Sequence, residues 1–386
     1  MQSNNRKIIL LGTTSSMMLQ FRQDLIKKLI QESWQVYTFI CEYNEKELNL
    51  LHEIGAITVT YNMKRGGLNP FADISAIISL KRKIQEIQPQ IVFSFFAKPV
   101  IYGSIAATLS KVPKTVGMLE GLGYTFTEQP TGLSLKAKII RYIQVILYKI
   151  SLPRLDDLVF LNPDDKKDLI DNYSIKVNRT HILGGIGLNL DEYQYSEALT
   201  DPIHFLFIGR LLKEKGIFDL VEASRIVKRQ YPSVKVTVLG SIDHQNLGAL
   251  QEVELTKLIN EGIFEYPGYV SNVQDWIKNS SVFILPSYRE GVPRSTQEAM
   301  AIGRPVITTD VPGCRETVID GVNGFLIPKW NPEALAEKMI YFIKNPDQIN
   351  IMGAESHKIA TKKYDAIKVN QRLCDILGID LPKSNS

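Results

Sequence analysis

Two carboxylates stand where a chain of this pattern can do chemistry. They are Glu290 and Glu298, in the run Glu290-Gly291-Val292-Pro293-Arg294-Ser295-Thr296-Gln297-Glu298. The run follows an apolar strand predicted over 282–285 and the turn Pro286-Ser287. Open parallel sheets place their ligands at the carboxyl ends of strands, which is where Glu290 falls. Gly291 lets the backbone approach a ligand closely. Ser295 is placed to cap a helix over 295–302, whose free N–H groups can face an anion. Glu298 then lies in the first turns of that helix and can reach a second part of the same ligand. The plainer alternative is a capped surface helix with two solvated glutamates.

A second run, Gly209-Arg210-Leu211-Leu212-Lys213-Glu214-Lys215-Gly216, leaves a strand predicted over 203–208 and enters a helix over 217–230. Arg210 and Lys215 held beside a helix N-terminus make a site for a diphosphate; the alternative is a charged turn with Gly216 as its hinge. A third run, Gly12-Thr13-Thr14-Ser15-Ser16, follows a strand over 7–11 and can cradle a phosphate or a sugar. It is not GxGxxG, and no dehydrogenase fingerprint follows it. No GxxxxGK[ST] occurs, which removes an NTPase reading. Cys41, Cys314 and Cys374 are far apart and odd in number, and the five histidines show no ligand spacing, so neither a metal site nor a disulfide framework is expected.

The elements that must position these residues read as two α/β units. The chain has 386 residues, 44% hydrophobic and 22% charged, which suits two globular domains. Strands are predicted over 7–11, 35–41, 57–61, 90–96, 114–119, 155–161 and 181–184, then again over 203–208, 234–239, 264–266, 281–285 and 305–308. Helices are predicted over 19–33, 74–88, 166–172, 217–230, 255–261, 273–279, 295–302 and 332–344. Strands alternating with helices mean parallel sheets. The polar stretch 187–202 separates the two units, and the start MQSNN and the tail 382–386 read as disordered. No charged-then-apolar leader precedes the first strand and no apolar run spans a bilayer, so a reducing cytosol is expected.

Net charge is +4, yet residues 111–154 carry Lys111, Lys114, Lys136, Lys138, Arg141, Lys149 and Arg154 against Glu120 and Glu128. This imbalance suggests an anionic neighbour, either phospholipid or a phosphorylated substrate. The segment 133–152 mixes these cations with Ile, Leu, Val and Tyr; it can lie on a membrane surface or be a core helix with snorkelling lysines. No basic surface with interleaved aromatics reads as a nucleic-acid module.

Taken together, the chain resembles the retaining glycosyltransferases of family 4, with the GT-B fold of two Rossmann-like domains whose parallel sheets face a central cleft. The carrying residues are Gly209-Arg210 with Glu214-Lys215-Gly216, Pro286-Ser287-Tyr288-Arg289-Glu290-Gly291-Val292-Pro293 with Glu298, and Val311-Pro312-Gly313-Cys314-Arg315-Glu316 with Asn323-Gly324. The resemblance implies an N-terminal acceptor-binding domain (1–190), a C-terminal domain that binds a nucleotide-sugar (200–360) and a helix over 361–378 that crosses back to the first domain. It implies that Arg210 and Lys215 grip the donor diphosphate, that Glu290 contacts the donor sugar, and that Gly291 and Val292, ahead of Pro293, offer backbone N–H groups. It gives Glu298 the ribose, with Gly12 and Thr13 on the donor side, UDP as the nucleotide and no metal cofactor.

The segment Glu120-Gly121-Leu122-Gly123 is similar to enzymes that extend sugars on undecaprenyl diphosphate, including bacterial α-1,3-N-acetylgalactosaminyltransferases. Many of these relatives carry a histidine near here, where this chain has Ala97 and Glu120. Glu120 is therefore a candidate for positioning the acceptor hydroxyl, or else a capping carboxylate in a glycine turn. Lys98 is a candidate for the acceptor diphosphate, or else a solvated lysine. The implied partners are a UDP-sugar, a lipid-linked saccharide and the cytoplasmic membrane surface. The alternatives are transfer to a soluble acceptor, or a protein that binds or epimerises a UDP-sugar.

Overall fold

A computed structural model describes residues 6–63, 70–244, 246 and 248–380. The N-terminal MQSNN and the tail 382–386, expected to be disordered, lie outside them.

The first half runs β1 (Arg6–Leu11), α1 (Ser15–Gln31), β2 (Trp34–Ile40), α2 (Glu45–Glu53), β3 (Ile57–Thr60), α3 (Pro70–Ile87), β4 (Ile91–Phe95), α4 (Ala97–Leu109), β5 (Lys114–Leu119), α5 (Leu135–Ser151), β6 (Asp157–Phe160), α6 (Pro163–Lys166) and β7 (Thr180–Ile182). The second runs β8 (His204–Ile208), α7 (Ile217–Gln230), β9 (Lys235–Leu239), α8 (Glu252–Asn260), β10 (Glu265–Gly268), α9 (Val273–Lys278), β11 (Val282–Leu285), α10 (Arg294–Ile302), β12 (Val306–Thr309), β13 (Gly324–Ile327), α11 (Pro332–Lys344), α12 (Asp347–Lys363) and α13 (Ala366–Leu377).

The strands pair in two sheets, ordered β3-β2-β1-β4-β5-β6-β7 and β10-β9-β8-β11-β12-β13. The pairings are parallel, as β1 with β4 and β8 with β11 show. The alternation of strands and helices thus gives the two Rossmann-like sheets that the sequence implies. In each, strand order reverses once, between β1 and β4 in the first and between β8 and β11 in the second. Those points open a crevice at the carboxyl ends of the strands. The central strands are apolar on both faces: Ile8 to Leu11 and Val282 to Leu285 are fully buried.

One compact unit takes in the chain to Leu122, Ser134–Ile186 and helix α13; the other takes in Gly123–Leu133 and Gly187–Asp365. The short segment 123–133 is held to the second unit by an ion pair between Glu128 and Lys329 and by Arg289 Nη1 donating to the Phe126 carbonyl at 3.4 Å.

Several helices start where side chains cap them. Thr14 accepts from the Met17 amide at 3.1 Å, Asn44 from Glu47 at 2.9 Å, Asn162 from Asp165 at 2.8 Å and Asn331 from Ala334 at 2.8 Å. The segment expected as one helix over 166–172 is instead α6 followed by a π-helical turn, Lys167–Asp171.

Candidate functional site

The β8–α7 connection and the β11–α10 connection meet at the reversal point of the second sheet. Gly209 stays in register, its N–H donating to the Leu239 carbonyl at 3.0 Å. A single 3₁₀ turn, Lys213–Lys215, then delivers the chain to Gly216, in left-handed conformation (φ 72°). A Cβ on Gly216 would lie 2.0 Å from the Pro286 carbonyl oxygen, so a larger residue would push the two connections apart. The Tyr288 N–H donates to the Glu214 carbonyl at 2.8 Å and joins them further.

That contact brings Lys215 to Glu290. The two form an ion pair, and the side chains are 16% and 12% exposed. Ser287 Oγ donates to Glu290 Oε1 at 2.7 Å. The Glu290 N–H donates to the Pro312 carbonyl at 3.0 Å, and the next residue must be glycine, because a Cβ on Gly313 would meet the Glu290 carbonyl oxygen at 2.2 Å. Both the side chain and the backbone of Glu290 are therefore fixed.

Arg210 stands half exposed, with Nη1 2.7 Å from Asp243 Oδ2. Glu214 lies between the cations but points inward and is buried. Burial pushes its carboxyl above the ordinary range; its own backbone N–H and the nearby Lys215 and Arg210 oppose the shift. The Cys314 thiol, buried under the same loop, is pushed up to about 12 by desolvation, which leaves it an inert thiol.

Gly291, Val292 and Pro293 are buried and lead into α10. The helix begins at Arg294, with Pro293 in the capping position and no side-chain cap. Ser295 is therefore not the cap expected of it: proline's fixed φ sets the helix start one residue earlier. Pro293 brings no side-chain acceptor to the start of α10, and a helix N-terminus favours an anion. Glu298, one turn in, is buried, and its Oε1 accepts from Tyr193 Oη and from Arg294 Nε, both at 2.9 Å.

The remaining candidates belong to the first unit. Gly12 follows β1, where its N–H donates to the Phe39 carbonyl at 3.0 Å and its carbonyl accepts from Tyr61 Oη at 2.6 Å. A Cβ there would meet the Phe95 ring at 2.5 Å. The Thr13 carbonyl accepts from the Cys41 and Glu42 amides at 2.8 and 3.0 Å. These groups join the β1–α1 turn to the end of β2, so the Gly12 amide is already in use. Glu120, at the end of β5, pairs with Arg22 of α1, and both are buried; the Arg22 guanidinium lies 4.5 Å from the Phe95 ring centroid. Lys98, in the first turn of α4, has Nζ 3.7 Å from Asp73 Oδ1; burial lowers its pKa, and Asp73 opposes the shift.

The structure thus brings Arg210, Lys215, Glu290, Gly291, Val292, Pro293 and Glu298 into one region of the second sheet, while Gly12, Thr13, Glu120 and Lys98 lie at strand ends of the first. Sequence reading missed Tyr193, Asp243 and Arg22, and gave Ser287 a place in the motif without its bond to Glu290. Tyr193 lies in the stretch read as a polar linker, although its ring is buried. A large aromatic inside such a stretch was the available signal.

Comparison with known proteins bears on the family and the fold. The family described as glycosyl transferases group 1 matches residues 191–359, and the family described as glycosyl transferase 4-like matches residues 7–160. The chain is 25% identical, over 95% of its length and 96% of the relative's, to the N,N'-diacetylbacillosaminyl-diphospho-undecaprenol alpha-1,3-N-acetylgalactosaminyltransferase of Campylobacter jejuni. It is 26% identical to the capsular polysaccharide biosynthesis glycosyltransferase CapM of Staphylococcus aureus, over 77% of this chain and 78% of that one. Among solved structures, Anabaena HepE in complex with UDP and glucose superposes with a TM-score of 0.74 at 16% identity, over 97% of this chain and 100% of that one.

Proposed function

We propose that this chain, a glycosyltransferase with the two-domain GT-B fold, a group 1 C-terminal domain and a 4-like N-terminal domain, moves a sugar from a UDP-sugar to a polyprenyl-diphosphate-linked saccharide in surface-polysaccharide or glycan assembly. The observation that carries the site assignment is the ion pair of Lys215 with Glu290 beside Arg210, at the reversal point of the second sheet.

On this reading the donor diphosphate meets Arg210, Lys215 and the uncapped first turn of α10. These charges are fixed before the reaction, so the anion that develops on the leaving diphosphate is stabilised without reorganisation or a metal ion. Glu290, held by Ser287 and by the Pro312 carbonyl, contacts the donor sugar, and the Gly291 and Val292 amides face sugar and phosphate. Glu298, oriented by Tyr193 and Arg294, takes the ribose. The bond between the anomeric carbon and the diphosphate oxygen breaks while the acceptor oxygen bonds to the same carbon from the same face. The acceptor proton passes to the departing diphosphate oxygen, and the anomeric configuration is retained. Glu120, anchored by Arg22, positions the acceptor hydroxyl.

The likeness to a transferase whose name specifies an undecaprenol-diphosphate acceptor and N-acetylgalactosamine supports a lipid-linked acceptor and an N-acetylhexosamine donor. The complex of HepE with UDP and glucose supports a uridine nucleotide. Among the described residues no helix is long and apolar enough to cross a membrane; on this reading the chain meets such an acceptor peripherally, at the inner face of the membrane.

The test is transfer from a panel of UDP-sugars to a synthetic N-acetylhexosaminyl diphospholipid, with EDTA present throughout. A product gaining one sugar from a single donor supports the reading and names the donor. Measurable UDP binding with no product from any donor contradicts it, and product on soluble sugars alone would move the acceptor to the soluble class.

A further inference from the structure

Helix α5 exposes an apolar row. Leu135, Ile139, Tyr142, Ile146 and Ile150 are each between 39 and 75% exposed. At one turn per 3.6 residues they fall within an arc of about 80°. The face that packs is a different one: Ala137, Val145, Tyr148 and Ser151 are buried. A surface helix in contact with water puts polar residues where this one puts isoleucine and tyrosine. A contiguous apolar patch of this kind marks a surface with a partner.

The charges say which partner. Between Leu135 and Ser151 the helix has Lys136, Lys138, Arg141 and Lys149 and no aspartate or glutamate. The three lysines are exposed. By the same angular reckoning Lys138 and Lys149 border one side of the apolar row and Lys136 the other. An apolar row edged by cations matches acyl chains edged by phosphates. A second helix in the same unit repeats the feature. On α3, Phe71, Ile74 and Ile78 are 87, 56 and 47% exposed, and α3 and α5 both pack on α4.

We propose that α5 lies flat on an anionic lipid bilayer, with Leu135, Ile139, Tyr142, Ile146 and Ile150 dipping below the headgroups and Lys136, Lys138 and Lys149 at the phosphates. This deepens the reading of a lipid-linked acceptor by assigning the surface on which that acceptor is met.

The experiment is co-sedimentation of the full chain with phosphatidylcholine vesicles, with and without phosphatidylglycerol. Wild type partitions to the anionic vesicles, and added salt weakens the partition. The variant I139S/Y142S/I146S loses partition by about tenfold or more. Lys138→Gln with Lys149→Gln weakens it on anionic vesicles only. All three side chains of the apolar variant are exposed, so its circular dichroism and its UDP binding stay at wild-type values. Wild-type levels of vesicle binding in I139S/Y142S/I146S overturn the proposal. So does a wild-type dimer in light scattering that this variant dissolves, since a second copy would then cover the row. Transfer to a short-chain, water-soluble diphosphate acceptor separates this proposal from the functional reading. Transfer without vesicle binding overturns the docking surface alone, and vesicle binding through α5 without transfer to any lipid-linked acceptor overturns the functional reading alone.

Discussion

Lys215 and Glu290 are 75 residues apart in sequence, yet their side chains form an ion pair because β8 and β11 are neighbours where the strand order reverses. The pair is mostly sheltered, and Ser287 holds the carboxylate from its other side at 2.7 Å. A cation so fixed meets an incoming diphosphate without a search for its rotamer. On the proposed reading, a carboxylate so fixed meets a sugar hydroxyl in the same way.

If the carboxylate serves the sugar rather than the nucleotide, as proposed, Glu290→Gln should lower kcat by about a hundredfold while changing UDP affinity much less. Steady-state kinetics beside calorimetric UDP titration checks this. Equal losses in turnover and in UDP affinity would place Glu290 with the nucleotide.

Tyr193 donates to the Glu298 carboxylate at 2.9 Å from a segment outside the sheet. Tyr193→Phe leaves Arg294 as the carboxylate's partner, so Glu298 keeps one anchor and loses part of its orientation. UDP binding should weaken by about fivefold, the worth of roughly one hydrogen bond. Unchanged UDP affinity would detach Glu298 from the ribose.

How much of this could be read in the residues differs by element. Strands β4 and β11 were legible because each is a short apolar run between turn residues, the signature of strands buried on both faces; the edge strands β3, β7 and β10 are half exposed and were read from the alternation of strands and helices around them. Helix α4 was not. Its sequence AKPVIYGSIAATL is apolar all round and has no helical period, because α3 and α5 both pack on it. Helix α2, only nine residues long, and β13, four residues at the sheet edge, gave too little pattern to see. In the site, Arg210, Lys215, Glu290 and Glu298 were legible because each sits in a local run at a strand end. Their pairing is long-range, and no spacing encodes it. The β1–α1 turn looked open in sequence, but the Gly12 amide and the Thr13 carbonyl are used by Phe39, Cys41 and Glu42.

Glu120 and Arg22 form an ion pair between buried side chains, so removal of either costs the other its opposite charge in a sheltered place. Glu120→Gln should destabilise the fold by about 1–3 kcal/mol in chemical denaturation. At a temperature where the variant is folded, transfer should fall more than UDP binding. Equal loss of both would make Glu120 a scaffold residue alone.

Asp157, at the start of β6, is buried and gathers Lys114, Arg179 and His181, the last two at 2.8 and 2.7 Å. Burial alone would raise its pKa, but the hydrogen bonds from Lys114, His181 and Arg179 outweigh it, and the net shift is downward. A carboxyl depressed in the fold stabilises it above the ordinary aspartate value of about 4 and ceases to do so as pH falls through the folded value. Stability should therefore drop on acidification below about pH 4, and Asp157→Asn should flatten that limb and lower stability at pH 7 by about 1–3 kcal/mol. Denaturant titrations at pH 7 and pH 3 measure both effects. An acid limb as steep in Asp157→Asn as in wild type would assign it to other carboxylates.

The most direct test is single-turnover transfer to the lipid-linked acceptor by wild type, Arg210→Ala and Lys215→Ala, each checked for fold by circular dichroism. If Arg210 and Lys215 hold the donor diphosphate and stabilise its departure, each alanine variant stays folded and loses transfer by about a hundredfold or more. Near-normal turnover in either folded variant would contradict the assignment of the diphosphate to this corner of the second sheet.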